Sequence, residues 1–525
     1  MIYVRQGTLN KPEVKMNNNP VASYLSRSLS TEGIDKVDMG FLGLICNLYE
    51  ISKTTPEVAA SIVKELESQR RQVKLIASEN YCSLATQFAM GNLLTDKYAE
   101  GIPNYRFYAG TENVDAVETL AMKEACSLFD AEYANVQPHC GADANLLAYW
   151  GILSTRIEAP ILAKLGETNL YKLSDAQWKE LKDELGNQRM LGLDYYSGGH
   201  LTHGYRYNIS ARMFDVHTYS VSKETGLLDY DEIKKQAEQV RPLILLAGYS
   251  AYPRKIDFKR MRQIADSVGA VFMVDMAHFA GLVAGKVFTD EFNPGPFAHV
   301  MTSTTHKTLR GPRGGLLLST GEFAEAMGKG CPLVMGGPLP HVMAAKAVAF
   351  KEAGKQEFRD YAGRIVENCK TLAETCRANG VDVLTGGTDN HLFLGNVSTS
   401  FGLTGRQAEG AFHDCSITLN RNSLPFDPNG AWYTSGFRAG TAAVTTLGMG
   451  KAEMEELGSI MALVLKNTSR AHKSKDSSEM SKVKYVIDEK AKAEALERVK
   501  TLQERFPVYP ELDLEFLKAA FTKGS

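Results

Sequence analysis

Strand-like and helix-like apolar patterns alternate along the middle of the chain. Residues 241–252 and 269–281 are rich in β-branched and apolar side chains and predict buried strands, whereas 257–268 has the apolar spacing of a helix. The runs "HVMTSTT" (299–305) and "GGLLLS" (314–319) predict two further strands. This alternation favours an α/β fold with a largely parallel sheet, whose ligands bind where the strands end.

The pattern changes along the chain and divides it into three predicted parts. Residues 1–55 lack strong periodicity and predict an irregular N-terminal arm, 56–357 hold the α/β pattern of a large domain, and 358–525 mix helices and strands as a smaller α+β domain. Within the large domain, the charged segment 155–190 has a helical pattern and is interpreted as a surface insertion. This insertion either crowds the entrance to a binding site or lies on the surface alone.

Composition narrows the classes of function. The 525 residues carry 59 Lys and Arg against 61 Asp and Glu, so no global basic field indicates nucleic acid or an anionic membrane as a partner. No apolar run reaches membrane-spanning length. The eight cysteines are scattered without a CxxC motif, which favours a reducing compartment and predicts a cytoplasmic location.

The stretch "TSTTHKTLRGPRGG" (302–315) places Lys307 where a predicted buried strand gives way to a turn. A phosphate-binding P-loop needs glycine directly before its Lys-Thr pair, and His306 stands there instead. Buried surroundings lower the pKa of a lysine and favour an amine that can form a Schiff base. From this stretch alone, an exposed lysine in a basic loop remains an alternative.

Asp275 precedes Lys307 by about one strand–crossover–strand unit, which places both at one edge of the sheet. An aspartate there could keep a pyridinium ring protonated, so that the ring withdraws electrons from a bound carbanion. Taken alone, such an aspartate is as often a helix cap or part of a structural ion pair.

Seven motifs, in order, carry a resemblance to a known family. They are "LIASENY" (75–81), "KYAEG" (97–101), "GGHLTHG" (198–204), "VDMAHFAG" (274–281), "TTHKTLRGPRGG" (304–315), "TDNHLFL" (388–394) and "TSGFRAGT" (434–441). Over about 60–465 the chain resembles serine hydroxymethyltransferase. The resemblance implies an enzyme of fold type I that binds pyridoxal 5′-phosphate (PLP), with a mainly parallel seven-stranded sheet flanked by helices. It also implies a homodimer that transfers the serine hydroxymethyl group to tetrahydrofolate, giving glycine and 5,10-methylenetetrahydrofolate.

The resemblance also implies which residues bind the cofactor. Lys307 corresponds to the lysine that forms a Schiff base with PLP, His200 to the imidazole stacked on its ring, and Asp275 to the partner of its pyridinium nitrogen. The segment "QPHCGADAN" (137–145) runs into a helix whose first N–H groups suit a phosphate, although a plain N-cap loop is the alternative. The full implied set is Lys307, His200, Asp275, Ser250, His278, His306, Cys140, Gly141, Ala142, Gly336 and Gly337.

Catalytic and substrate-binding roles follow from the same resemblance. Glu100 is the candidate acid or base at the serine hydroxyl or at the folate, although outside this pattern it would be judged a solvated loop charge. The hairpin that carries it, with Gly336 and Gly337, is expected to reach the active site of a second copy. The implied catalytic residues are Lys307, Glu100, Tyr98, Tyr108, His278, Thr304 and His306, and the substrate carboxylate is assigned to Ser78, Tyr108 and Arg438.

The folate side departs from the family pattern more than the cofactor side does. Tyr195 stands where leucine is expected, Phe426 where a polar residue is common, and Trp432 ends a motif that usually ends in phenylalanine. Cys140, Met335 and Phe107 are milder departures near the cofactor. The residues assigned to folate are Tyr195, Gly199, His200, Leu201, Asn422, Gly430, Ala431 and Trp432.

Three alternatives accompany this interpretation. A PLP enzyme without folate could cleave 3-hydroxy amino acids or racemise alanine. A degenerate homologue could act as a binding protein, although intact Lys307, Asp275, His200 and Arg438 argue against it. The "HLTH" motif could be a turn or a weak zinc pair without further ligands nearby, and no metal is expected.

Overall fold

The computed structural model describes residues 19–31, 37–474 and 477–522. The described residues form two compact units, one within residues 1–72 and 503–525 and the other within residues 73–502. The division into three parts that the sequence predicts stays a prediction. Within the described ranges, no helix combines the length and the apolar character needed to cross a membrane.

The helices and strands alternate through most of the chain. The helices are α1 (Pro20–Thr31), α2 (Met39–Ser52), α3 (Pro56–Arg71), α4 (Leu84–Met90), α5 (Glu112–Phe129), α6 (Gly141–Leu153), α7 (Ala159–Lys164), α8 (Asp175–Gly186), α9 (Ser210–Met213), α10 (Tyr230–Val240), α11 (Phe258–Val268), α12 (Ala280–Ala284), α13 (Gly321–Gly328), α14 (Gly330–Leu333), α15 (Pro340–Ala353), α16 (Gln356–Ala378), α17 (Val397–Phe401), α18 (Gly405–Asp414), α19 (Gly430–Tyr433), α20 (Ala442–Thr446), α21 (Lys451–Lys466), α22 (Glu489–Arg505) and α23 (Leu514–Phe521). The strands are β1 (Val73–Lys74), β2 (Gly101–Ile102), β3 (Tyr105–Arg106), β4 (Tyr133–Asn135), β5 (Arg189–Leu193), β6 (Asp215–Tyr219), β7 (Ile244–Gly248), β8 (Val271–Asp275), β9 (Val300–Thr304), β10 (Gly315–Ser319), β11 (Asp382–Val383), β12 (Leu392–Asn396), β13 (Ile417–Thr418), β14 (Asn420–Asn422), β15 (Gly436–Gly440), β16 (Thr468–His472) and β17 (Met480–Ile487).

A seven-stranded sheet forms the centre of the larger unit, in the order β4-β10-β9-β8-β7-β5-β6. Strands β9, β8, β7, β5 and β6 run parallel, whereas β10 is antiparallel to both β4 and β9. Every residue of β7, β8 and β9 is buried, as expected for continuous apolar runs covered on both faces. The predicted α/β fold with a mainly parallel seven-stranded sheet is confirmed.

The register of three neighbouring strands places several candidate residues at one edge of the sheet. Gly248 at the end of β7 pairs with Asp275 at the end of β8, and Asp275 pairs with Thr302 of β9. Since these strands are parallel, their carboxyl ends lie at one edge of the sheet. Ser250 and Lys307 follow β7 and β9 after short turns and lie at the same edge.

A second sheet lies later in the same unit. Its strands are antiparallel, in the order β11-β12-β15-β14. Arg438, in the middle of β15, pairs with Leu394 of β12 on one side and Asn420 of β14 on the other. A position inside the sheet fixes the backbone of this arginine on both sides.

The irregular arm predicted for residues 1–55 is wrong for the described residues, because α1 and α2 are helical. Residues 1–18 and 32–36 lie outside the described part of the chain. The Asp38 side chain accepts a hydrogen bond from the Phe41 N–H (2.7 Å) and so caps α2. Phe41, Ile45 and Leu48 are buried at helical spacing, which stabilises the helix by packing.

The segment 155–190 is helical, as predicted. A single π-helical turn, Ser154–Glu158, joins α6 to α7, and α8 follows. Its buried side chains are those of Leu162, Leu181 and Met190, and most of the others are exposed or half-buried. This burial pattern is that of an element lying on the surface.

Candidate active site

A cavity of about 760 Å³ opens where the strand ends of the central sheet meet the second sheet. Residues predicted to bind the cofactor and residues predicted to bind folate both line it. Of the residues predicted from the sequence, those that line it are Ser78, Cys140, Gly141, Ala142, Tyr195, Gly199, His200, Leu201, Ser250, Asp275, His278, Thr304, His306, Lys307, Asn422, Ala431 and Arg438. No residue of 155–190, all of which are described, lines it.

Lys307 is buried at the floor of this cavity, with 8% of its surface exposed. Burial lowers its pKa to about 8, with further lowering by Arg438 and Arg313 and an opposing effect of Asp275. Asn80 Nδ2 donates to the Lys307 carbonyl oxygen (2.9 Å) and so fixes the backbone of the turn. The alternative of an exposed lysine in a basic loop is wrong.

Asp275 is held as a buried anion by three donors. Asn145 Nδ2 lies 2.9 Å and His203 Nε2 3.0 Å from Oδ2, and the Ala277 N–H lies 3.1 Å from Oδ1. Since His203 Nδ1 accepts from the His200 N–H (3.3 Å), Nε2 carries the hydrogen and donates to Asp275. Burial alone would raise the pKa of Asp275, but His203, His200 and Asn145 outweigh it and lower that pKa well below the usual range.

Asn145 and His203 were not among the predicted site residues, although both lie within quoted motifs. Asp275 provides a third possible metal ligand next to the two histidines of the "HLTH" motif. The possible ligand atoms of His200, His203 and Asp275 lie within 4.8 Å of one another. The hydrogen bond from His203 to Asp275 satisfies both side chains without an ion. The expectation of no metal stays a prediction.

Two buried histidines face each other behind Lys307. His278 Nδ1 lies 3.2 Å from His391 Nε2, and burial is the main cause that lowers both pKa values, that of His391 to about 3. Two neutral imidazoles share one proton along this contact, so the tautomer of His391 determines that of His278. His391 lies in the quoted "TDNHLFL" motif but was not assigned a role.

Arg438 extends from β15 toward the strand ends. Nη1 donates to the Ser250 carbonyl oxygen (2.5 Å) and Nε to Asn420 Oδ1 (3.1 Å). Burial lowers its pKa to about 10, which leaves the guanidinium charged near neutral pH. These contacts orient a cationic fork at the cavity wall, where it can bind a carboxylate.

The first turn of α6 forms another part of the wall. Cys140 is its N-cap residue and makes no side-chain cap hydrogen bond. A methyl group on Gly141 would lie 2.7 Å from Thr304 Cγ2, so only glycine allows the helix start to pack against the end of β9. The N–H groups of this turn are available to an anion.

A protein-family comparison identifies this arrangement. The family model described as serine hydroxymethyltransferase matches residues 51–163 and 184–461. The chain belongs to the serine hydroxymethyltransferase family. The unmatched residues 164–183 fall inside the surface segment 155–190, which agrees with its interpretation as an insertion.

Curated relatives agree with this assignment. Serine hydroxymethyltransferase from Treponema pallidum (strain Nichols) is 56% identical over 508 residues, which cover 97% of this chain and 87% of that protein. The enzyme from Salinispora tropica is 55% identical over 464 residues, covering 88% of this chain and 96% of that protein. The enzyme from Mycolicibacterium smegmatis is 51% identical over 485 residues, covering 92% and 97%. The chain is therefore a PLP-dependent transferase of the hydroxymethyl group of serine.

Several residues predicted for the serine hydroxymethyltransferase reaction lie away from the cavity of their own chain. Tyr98 and Tyr108 pack edge to face, with ring centroids 5.1 Å apart, and both are exposed. Glu100 raises the pKa of Tyr98, and a methyl group on Gly337 would lie 3.1 Å from the Tyr98 ring. The residues outside the cavity lining are Tyr98, Glu100, Tyr108, Gly336, Gly337, Gly430 and Trp432.

The side assigned to folate is aromatic and carries charge. Tyr195 lines the cavity, and its ring centroid lies 5.1 Å from that of Tyr205. Trp432 is exposed, and the guanidinium groups of Arg406 and Arg421 lie 4.8 Å and 5.7 Å from the centroid of its ring. Further lining residues that the sequence did not assign are Glu79, Asn145, Gly198, Tyr249, Ala251, Ala277, Arg313, Glu409, Asn420, Arg421, Ser423 and Thr434.

Proposed function

We propose that PLP binds in the cavity with its aldehyde at Lys307, its ring nitrogen at Asp275 and its phosphate at the start of α6. One observation carries this proposal: a buried amine that readily loses its charge and a buried carboxylate that keeps its charge face the same cavity. The pKa of Lys307 is lowered, so that a neutral amine is accessible near pH 8. The pKa of Asp275 is lowered too, which keeps it an anion.

The remaining donors fit the other parts of the same ligand. The N–H groups at the start of α6 suit a phosphate, since neither a side-chain cap nor a Cβ at Gly141 occupies the turn. His200 lines the cavity and is oriented by Thr202, whose Oγ1 lies 2.7 Å from His200 Nδ1. Burial lowers the pKa of His200 to about 4, so it presents a neutral ring to the cofactor.

Bound PLP supplies the electron sink that stabilises a carbanion at the substrate Cα. Arg438 binds the substrate carboxylate, and Ser78 lines the same cavity. Because Arg438 is fixed to Ser250 and Asn420, it holds the carboxylate in one direction and so selects which Cα bond is broken. Thr304, His306 and His278 line the same wall and are neutral groups that can hold or pass a proton.

The cluster formed by the exposed Tyr98 and Tyr108 and the half-buried Glu100 is assigned to the active site of a second copy. Exposed aromatic side chains surround it, including Tyr105 and Phe107 at 77% and 71% exposure, and such a surface is typical of a protein–protein interface. In the homodimer, Glu100 would exchange a proton at the serine hydroxyl or at the folate. Gly336 and Gly337 would approach the partner's cofactor phosphate.

Tetrahydrofolate is the proposed acceptor of the one-carbon unit. Tyr195, Gly199, Leu201, Asn422 and Ala431 form the part of the wall available to it. PLP chemistry without folate on 3-hydroxy amino acids or alanine is the alternative if Tyr195, which lines this wall, keeps the pterin from binding. The cytoplasmic location expected from the cysteines stays a prediction.

Serine cleavage by the purified, PLP-loaded protein tests the proposal. Glycine and methylenetetrahydrofolate are measured with and without tetrahydrofolate, and the Lys307→Ala variant serves as the blank. We expect turnover that depends on tetrahydrofolate and is absent in the blank. Equal serine cleavage with and without tetrahydrofolate would refute the transfer to folate, and 3-hydroxy amino acids and alanine would then be tested as substrates.

A further inference from the structure

Lys346 is a fully buried lysine outside the cavity lining. It lies on α15, is 1% exposed, and its ammonium group donates to the carbonyl oxygens of Val136 (2.6 Å), Pro138 (2.9 Å) and Gly315 (2.8 Å). These three acceptors use all three of its N–H donors. Buried lysines usually pair with a carboxylate. Among the residues that the structure describes, none forms an ion pair with Lys346, and backbone carbonyls hold the charge instead.

The three carbonyl groups belong to two segments that meet at the proposed phosphate site. Val136 and Pro138 lie in the loop between β4 and the first turn of α6. Gly315 begins β10, immediately after the turn that carries Lys307. The Gly315 N–H also donates to the Pro138 carbonyl (2.9 Å). Lys346 therefore ties the loop that precedes α6 to the strand that follows the lysine turn.

The space around Lys346 leaves little freedom for another arrangement. A methyl group on Gly314 would lie 2.5 Å from Lys346 Cε and 3.1 Å from Nζ. Burial lowers the pKa of Lys346 to about 7, against the raising effects of Glu118, Asp143 and Cys140. Cys140 and Asp143 flank the start of α6, so an anion bound there adds negative charge on the same side and favours the ammonium form.

We propose that Lys346 is a positioning residue that holds the loop 136–141 in the geometry that binds the cofactor phosphate. It acts through the backbone carbonyl groups and does not touch the ligand. The inference rests on the proposed PLP function. This loop leads directly into the N–H groups at the start of α6, whereas Lys307 and Asp275, which would contact the aldehyde and the ring, lie on other segments of the chain. Loss of the ammonium group should therefore weaken the phosphate contact selectively.

A comparison of PLP with pyridoxal separates these two kinds of contact, because pyridoxal has the same ring and aldehyde without the phosphate. The dissociation constants of both are measured by absorbance titration for the wild type, Lys346→Met and Lys351→Met. Lys351 is the matched control, since it lies on the same helix but is exposed and pairs with Glu124 (2.7 Å). We expect Lys346→Met to weaken PLP binding about tenfold to hundredfold, and pyridoxal binding less than about threefold. Lys351→Met should change neither.

An equal loss of affinity for PLP and pyridoxal would show that Lys346 only supports the fold, and it would overturn the inference. An unchanged dissociation constant for PLP would do the same. If Lys346→Met does not fold, Gly314→Ala provides a second variant, because its methyl group displaces the lysine side chain. The same selective loss is expected there. A wild type that binds neither aldehyde would instead refute the proposed function itself.

Discussion

Replacing His203 by leucine leaves the buried carboxylate of Asp275 with one donor fewer. The contact from His203 Nε2 to Asp275 Oδ2 is 3.0 Å long, and both side chains are buried. Asn145 Nδ2 and the Ala277 N–H remain as donors. A hydrogen bond to a charged group contributes about 1.5–3 kcal/mol. Because two donors remain, we expect the free energy of unfolding to fall by about 2–3 kcal/mol at pH 7.

Urea unfolding of the cofactor-free protein measures this difference. His217→Leu is the matched control, since His217 Nε2 lies 3.2 Å from Asp215 Oδ2 but both side chains are exposed. An exposed pair of this kind contributes about 0–1 kcal/mol. The control should therefore lose at most about 1 kcal/mol of stability.

The pH dependence of the same difference provides a second check. The pKa of Asp275 is lower in the folded than in the unfolded protein, so its stabilising contribution is present above the unfolded value of about 4. That contribution is lost as the pH falls from there toward the folded pKa. The difference between the wild type and His203→Leu should thus be largest at neutral pH and shrink below about pH 4. Equal costs of the two variants at pH 7, or a difference that does not change with pH, would refute this reasoning.

Three further predictions concern the binding of substrate and cofactor. Arg438→Lys should raise the KM for serine by about thirtyfold or more, because lysine cannot bind the carboxylate in a fork, and an unchanged KM in steady-state assays would contradict the assigned role. Gly141→Ala should weaken PLP binding about tenfold, because its methyl group would meet Thr304 at 2.7 Å. The control Gly363→Ala, which meets no atom within 4 Å, should leave PLP affinity unchanged in the same titration. The rate of PLP incorporation, followed by stopped-flow absorbance, should rise with pH and level off above about 8, because the neutral amine of Lys307 reacts; a rate that does not vary between pH 6 and pH 9 would contradict this.

The sequence located the residues that follow buried strands, because a strand end is a local signal. Asp275 ends the apolar strand β8, Lys307 follows the buried strand β9 by three positions, and the parallel register of these strands brings the two together. The pattern of these runs therefore predicted both the sheet and the edge at which the cavity opens. The family motifs added residues such as Arg438, whose strand is in the second sheet.

Groups that act through other side chains were harder to predict. Asn145 lies on α6 and donates to Asp275, which is 130 positions away in the sequence. His391 contacts His278 across 113 positions. No local sequence pattern predicts such contacts, because they depend on how the layers of the fold pack. Helix α2 was missed for another reason: it contains glycines at 40 and 43, which weaken the helical signal.

The antiparallel strand β10 sets the length of the ligand that this scaffold can hold. It runs from the turn after Lys307 back along β9 and pairs on its other side with β4, which leads to the start of α6. The separation between the lysine amine and the proposed anion site is therefore fixed by a ladder of backbone hydrogen bonds. Since such a ladder shifts only by whole residues, side-chain substitutions cannot adjust this span gradually. The part of a ligand between its aldehyde and its phosphate should therefore stay the same in proteins with this scaffold. Substitutions that change substrate specificity should occur at the mouth of the cavity instead.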